Sequence, residues 1–121
     1  MKLLVVGGSN SRMVAGYTKT MREELERLGS PVSIFTNISL GANTCMLGLA
    51  SLKELPDGTD YDWIVIEYSV NDYGLFSTGD IDLWRASFEG LIRQAARRWP
   101  KARICYVMLS RSNVSAKLGA Q

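Results

Sequence analysis

The run Lys2 to Val6 (KLLVV) is apolar after its first residue and stops at Gly7-Gly8. No other feature constrains the fold as strongly. A short continuous apolar run cut off by a turn describes a strand covered on both faces, because a half-exposed strand would alternate apolar and polar positions. Trp63 to Tyr68 (WIVIEY) is nearly all apolar and reads as a central strand, and Arg103 to Leu109 (RICYVML) reads as the last strand. Val32 to Ile38, rich in β-branched and aromatic residues, reads as a further strand.

Helical spacing fills the intervals. Val14, Tyr17, Met21, Leu25 and Leu28 recur three and four residues apart, which predicts a helix from about Met13 to Leu28, closed by Gly29 and Pro31. A shorter helix is expected from Cys45 to about Leu55, capped by Asn43 or Thr44 and ended by Pro56-Asp57-Gly58. Trp84, Phe88, Leu91, Ile92, Ala95 and Trp99 mark a third helix, which Pro100 closes. The order β-α-β-α-β-α-β with short links implies right-handed crossovers. The expected class is therefore α/β: a three-layer α/β/α, flavodoxin-like parallel sheet of at least four strands. A chain of 121 residues suits one such domain.

Charge and composition narrow the function. The net charge is +2 with acids and bases interspersed, which argues against a nucleic-acid partner. The basic cluster Arg93, Arg97, Arg98, Lys101 and Arg103 reads as a solvated helix end whose cations complement the macrodipole. No apolar run approaches membrane-spanning length, and MKLLVV is too short for a signal peptide, so a cytoplasmic location is expected. Cys45 and Cys105 lack CxxC spacing and are expected to be buried free thiols, with no metal or other cofactor implied. Trp63, Trp84 and Trp99 are expected to pack the core and the helices. The chain contains no histidine, so its own residues offer no imidazole base.

Sites in parallel sheets form outside the carboxyl ends of the strands. That rule selects the loops Gly7 to Arg12, Ser39 to Thr44 and Ser69 to Gly74. The first loop, GGSNSRM, matches neither GxGxxG nor GxxxxGK[ST], and Ser11 stands where GxSxG requires its second glycine. Its backbone N–H groups could still cradle a phosphate. Ser9 has a simpler reading as a helix cap, Gly41 as a turn residue, and Asn71-Asp72 as an Asx turn, with Ser11 a competing hydroxyl.

Taken together, Gly8-Ser9, Gly41 and Asn71-Asp72 resemble blocks I, II and III of the SGNH (GDSL-type) hydrolases, in order and each after its strand. NISLGANT is similar to the family's block II context, and DWIVIEYSVND to its block III strand running into G-x-N-D. The resemblance implies that Ser9 is the nucleophile and that the Gly41 backbone N–H and the Asn71 amide line the oxyanion hole. The Ser9 backbone N–H would be a further donor. Asn10 and Asp72 are implied only as neighbours behind the site or at its rim. Donors already aimed at a developing oxyanion need not reorganise, and losing one typically costs about 3–4 kcal/mol of barrier stabilisation.

The similarity covers roughly residues 2 to 110 and departs from the family at three points. Gly8 replaces the aspartate of GDS, Ser69 replaces the block III glycine, and the D-x-x-H of block V is absent. The expectation is a single SGNH hydrolase-like domain over 1–121, truncated at its C-terminus. The implied activity is hydrolysis of a small-molecule acyl ester or thioester through an acyl-serine, weak in this chain for want of a base. The alternative is a non-catalytic, flavodoxin-like module that binds a ligand or protein. The free edge of the fourth strand offers a contact for a second copy. Arg12, Tyr17, Tyr73 and Phe76 fall near the inferred rim.

Overall fold

A computed structural model describes residues 1–41, 44–69, 72–73 and 81–108. The expected α/β architecture is present. Strands β1 (Lys2–Gly7), β2 (Ile34–Asn37), β3 (Trp63–Glu67) and β4 (Arg103–Tyr106) form one sheet in the order β2-β1-β3-β4. Every pairing is parallel, with Leu4 opposite Thr36 and Ile64, and Ile64 opposite Ile104. Helices α1 (Ser9–Arg12), α2 (Tyr17–Arg27), α3 (Cys45–Glu54) and α4 (Ile81–Arg98) connect the strands.

The two faces of the sheet carry separate cores because side chains alternate along a strand. Leu4, Val6, Ile64 and Ile66 point to one face and pack with Leu52 of α3 and Leu91 and Ala95 of α4. Leu3, Val5 and Val65 point to the other, against Tyr17 and Met21 of α2. This gives the three layers and explains why β1 and β3 are apolar at successive positions. Trp99 and Tyr61 meet edge to face at 5.3 Å, and Trp84 stacks on Phe88 at 5.5 Å, so both tryptophans pack as expected. Trp63 is half-buried beneath the Arg103 guanidinium. No helix among the described residues is long and apolar enough to cross a membrane.

Several boundaries differ from the sequence reading. The helix expected from Met13 begins instead at Tyr17, with Gly16 at its N-cap, because Met13 takes an extended conformation that ends α1. Val14 therefore leaves the buried stripe and is 86 % exposed. β2 is shorter than Val32 to Ile38, and Tyr68, although fully buried, lies just beyond β3.

Cys45 is buried as expected, but Cys105 is exposed. β4 lies at the sheet edge, and its residues alternate between exposed and half-buried. Arg98 is not part of a solvated helix end either. Its guanidinium donates to the carbonyls of Leu52 and Leu55 at the end of α3 and pairs with Asp57 at 3.3 Å. Peptide carbonyls left open at a helix C-terminus are strong acceptors for such a cation.

Candidate functional site

The carboxyl ends of β1, β2 and β3 lie side by side because the parallel register sets Val5 opposite Asn37 and Gly7 opposite Glu67. Backbone bonds tie the three loops together there. Gly8 N–H donates to the Glu67 carbonyl at 3.0 Å, and Leu40 N–H donates to the Gly7 carbonyl at 3.1 Å. The loop carrying Gly41 is thereby fastened to the turn carrying Ser9.

That turn is the one-turn helix α1. Gly8, not Ser9, is its N-cap, and no side chain caps it. The capping reading of Ser9 therefore fails. Ser9 is exposed and Asn10 half-buried, while Ser11 is completely buried. Residues two apart on a helix lie nearly on opposite sides, so turning Ser11 inward turns Ser9 outward.

Ser11 is held from three directions. Its Oγ donates to Glu67 Oε2 at 3.0 Å and lies 2.6 Å from the Tyr17 hydroxyl. Its carbonyl accepts from Asn37 Nδ2 at 2.8 Å, and the Asn37 carboxamide oxygen in turn accepts from Ser39 N–H at 3.0 Å. Ser11 is thus a structural hydroxyl, withdrawn from any ligand. Gly7 permits the close approach: a Cβ there would stand 2.7 Å from the Glu67 carbonyl oxygen and collide with the Ser11 hydroxyl.

Glu67 went unrecognised as part of the site in the sequence, although one acid in the run WIVIEY was the available signal. It is 1 % exposed, and burial pushes its carboxyl above the ordinary carboxylate range, opposed by the hydrogen bond from Ser11. Burial also raises the Tyr17 phenol. Tyr17, placed near the rim by its position in the sequence, is half-buried and bonded to Ser11. Arg12 and Tyr73 are exposed.

Asp72 is buried. Its two carboxylate oxygens accept from Cys45 N–H at 2.9 Å and from Trp84 Nε1 at 3.1 Å. Gly41 is exposed, with open space where a side chain would be. Asn71, Phe76 and Asn43 lie outside the described residues. Beyond β3 and β4, Trp84, Phe88, Tyr106, Met108 and Asp72 border a largely apolar cavity of about 420 Å³. Among the described residues no cluster of histidine, cysteine, aspartate or glutamate could hold a metal ion.

The fold is similar to that of several solved esterases. A psychrotrophic esterase from a Pseudoalteromonas species superposes with a TM-score of 0.68 at 17 % identity, over 87 % of this chain and 57 % of its own. An acetyl xylan esterase matches at 0.67 and 18 % identity, over 88 % and 57 %. A two-domain esterase active on acetylated mannans matches at 0.64 and 24 % identity, over 88 % of this chain and 29 % of its own. At these identities the likeness is one of fold, and the chain spans 57 % of the length of the first two. No family model matches the sequence, and no curated protein matches it.

Proposed function

We propose that the chain carries the nucleophile and oxyanion-binding part of an SGNH-type serine hydrolase acting on acyl esters or thioesters. The observation that carries this reading is the outward Ser9 hydroxyl, free of capping duty, at the end of β1 in a fold shared with esterases. Ser9 Oγ would attack the acyl carbonyl, forming a Oγ–C bond while the carbonyl electrons move to oxygen. The N–H groups of Ser9 and Gly41 and the Asn71 amide would stabilise that oxyanion. Collapse expels the alcohol or thiol, and water then hydrolyses the acyl-serine. An imidazole to take the serine proton would have to come from outside these 121 residues, which contain no histidine.

The fold's likeness to esterases of acetylated polysaccharides supports acyl esters of carbohydrates as one substrate class. The absence of histidine favours a second reading, a ligand-binding module without catalysis. Hydrolysis of a short-chain p-nitrophenyl ester separates the two. A full-length protein that includes this chain is expected to turn the ester over, and Ser9→Ala to abolish turnover; unchanged turnover in the variant overturns the nucleophile. The 121-residue chain alone is expected to show only residual activity, because a serine hydroxyl without an adjacent base is a poor nucleophile at neutral pH.

A further inference from the structure

We infer that Glu67 is a positioning residue for Ser9: by holding Ser11 inward through its buried carboxylate, it fixes the one-turn helix that presents the Ser9 hydroxyl. α1 has four residues and makes few bonds of its own, with the Ser11 and Arg12 N–H groups reaching the Gly8 carbonyl at 3.2 and 3.3 Å. A single turn is unstable in isolation, since nucleation fixes several dihedrals for one hydrogen bond. Its shape must come from tertiary contacts, and Gly8 at its head has no side chain to provide one.

The contacts available converge on Ser11. One is the 3.0 Å bond to Glu67, a buried hydroxyl given to a carboxylate. The Glu67 main chain adds the bond from Gly8 N–H at 3.0 Å, so one residue of β3 grips both sides of Ser9. Tyr17, the first residue of α2, closes the chain from the far side at 2.6 Å from Ser11 Oγ. Release of Ser11 would let α1 rotate, and with it the outward vector of Ser9. Misplacing a reacting group by about 1 Å can cost on the order of a hundredfold in rate.

The link from Glu67 to the turn stands on geometry alone, while its effect on reactivity rests on Ser9 being the nucleophile. Two measurements keep these apart, both made at a temperature where circular dichroism shows every variant folded. Amide hydrogen exchange of Ser11 and Arg12 reads the turn directly. In Glu67→Ala and in the gentler Ser11→Ala it is expected to rise roughly tenfold or more, with β1 amides still protected; in Glu67→Gln, whose amide oxygen still accepts from Ser11, it stays within about threefold of wild type. Unchanged exchange in both alanine variants, or a rise no larger than that in β1, overturns the inference.

Covalent labelling by a fluorophosphonate reads the consequence. Ser9 Oγ displaces fluoride from phosphorus, its proton going to solvent, and intact mass with peptide mapping follows the Oγ–P bond. Labelling at Ser9 is expected to fall in the two alanine variants and to be rescued in Glu67→Gln. Labelling at the wild-type rate in both alanine variants overturns the inference. Wild-type protein that, in the same full-length form used for ester hydrolysis, never labels at Ser9 overturns the nucleophile instead and leaves the exchange result to decide the positioning.

Discussion

Asp72 Oδ1 accepts the backbone N–H of Cys45, the first residue of α3, at 2.9 Å. A helix leaves its first N–H groups without internal partners, and Thr44, which occupies the N-cap, gives no side-chain bond. A residue 27 positions away therefore does the capping, and the same carboxylate accepts from Trp84 Nε1 near the start of α4. The acid fastens the loop after β3 to two helices at once.

Asp72→Ala is accordingly expected to destabilise the fold by about 1–3 kcal/mol, since it leaves two donors without their partner. Asp72→Asn should cost less, because its one amide oxygen can still serve one of the two. Urea unfolding at neutral pH checks the ordering; an alanine variant as stable as wild type would remove Asp72 from this role.

Gly48 and Tyr68 make an opposed pair of predictions. Alanine normally favours a helix interior over glycine by about 1 kcal/mol. At Gly48 a Cβ would stand 2.7 Å from Tyr68 Cζ, inside the rigid end of a buried ring. Overpacking of that kind costs about 1–3 kcal/mol, so Gly48→Ala should lower stability against the helix-propensity trend. The Tyr68 hydroxyl is itself buried with no hydrogen-bond partner among the described residues. Removing an unsatisfied buried group relieves its desolvation, and Tyr68→Phe should leave the thermal midpoint unchanged or raise it.

The pattern of apolar runs was sufficient to read the sheet, because β1 and β3 are covered on both faces and need apolar residues at every position. The positions of Ser9 and Gly41 past the ends of β1 and β2 were legible for a related reason, since each follows from where an apolar run stops. Glu67 was not, since its meaning depends on lying opposite Gly7, and sequence spacing carries no register between strands. Arg98 was misread because charge is usually solvated, and only the tertiary arrangement brings the Leu52 and Leu55 carbonyls to it. The missed break at Met13 has a local cause: three-and-four spacing continues through Val14 even where the backbone has become extended.

The two thiols should separate cleanly in a reactivity assay. Burial, followed by the neighbouring Asp72 carboxylate, pushes the Cys45 thiol up to about 12, so almost none is thiolate at neutral pH. Cys105 is exposed on the edge strand. Native protein is expected to release one equivalent of thionitrobenzoate from Ellman's reagent quickly, and unfolded protein two. Cys105→Ser should abolish the fast phase; persistence of that phase would place a reactive thiol at Cys45.

Glu67 gives the chain a pH signature of definite sign. Its carboxyl holds its proton more tightly when folded, because burial penalises the charge more than the Ser11 hydrogen bond offsets it. Folded protein therefore binds more protons than unfolded protein from the ordinary value of 4.5 up to the raised one. Across that window stability falls as pH rises, and it levels off once the folded-state carboxyl has ionised. Glu67→Gln has no proton to lose and lacks this contribution. The stability of wild type relative to Glu67→Gln should thus decline as pH is raised from about 4 and then reach a plateau, as read from paired urea titrations. A difference that stays constant with pH, or that grows in favour of wild type, would show that Glu67 ionises as readily in the folded chain as in the unfolded one.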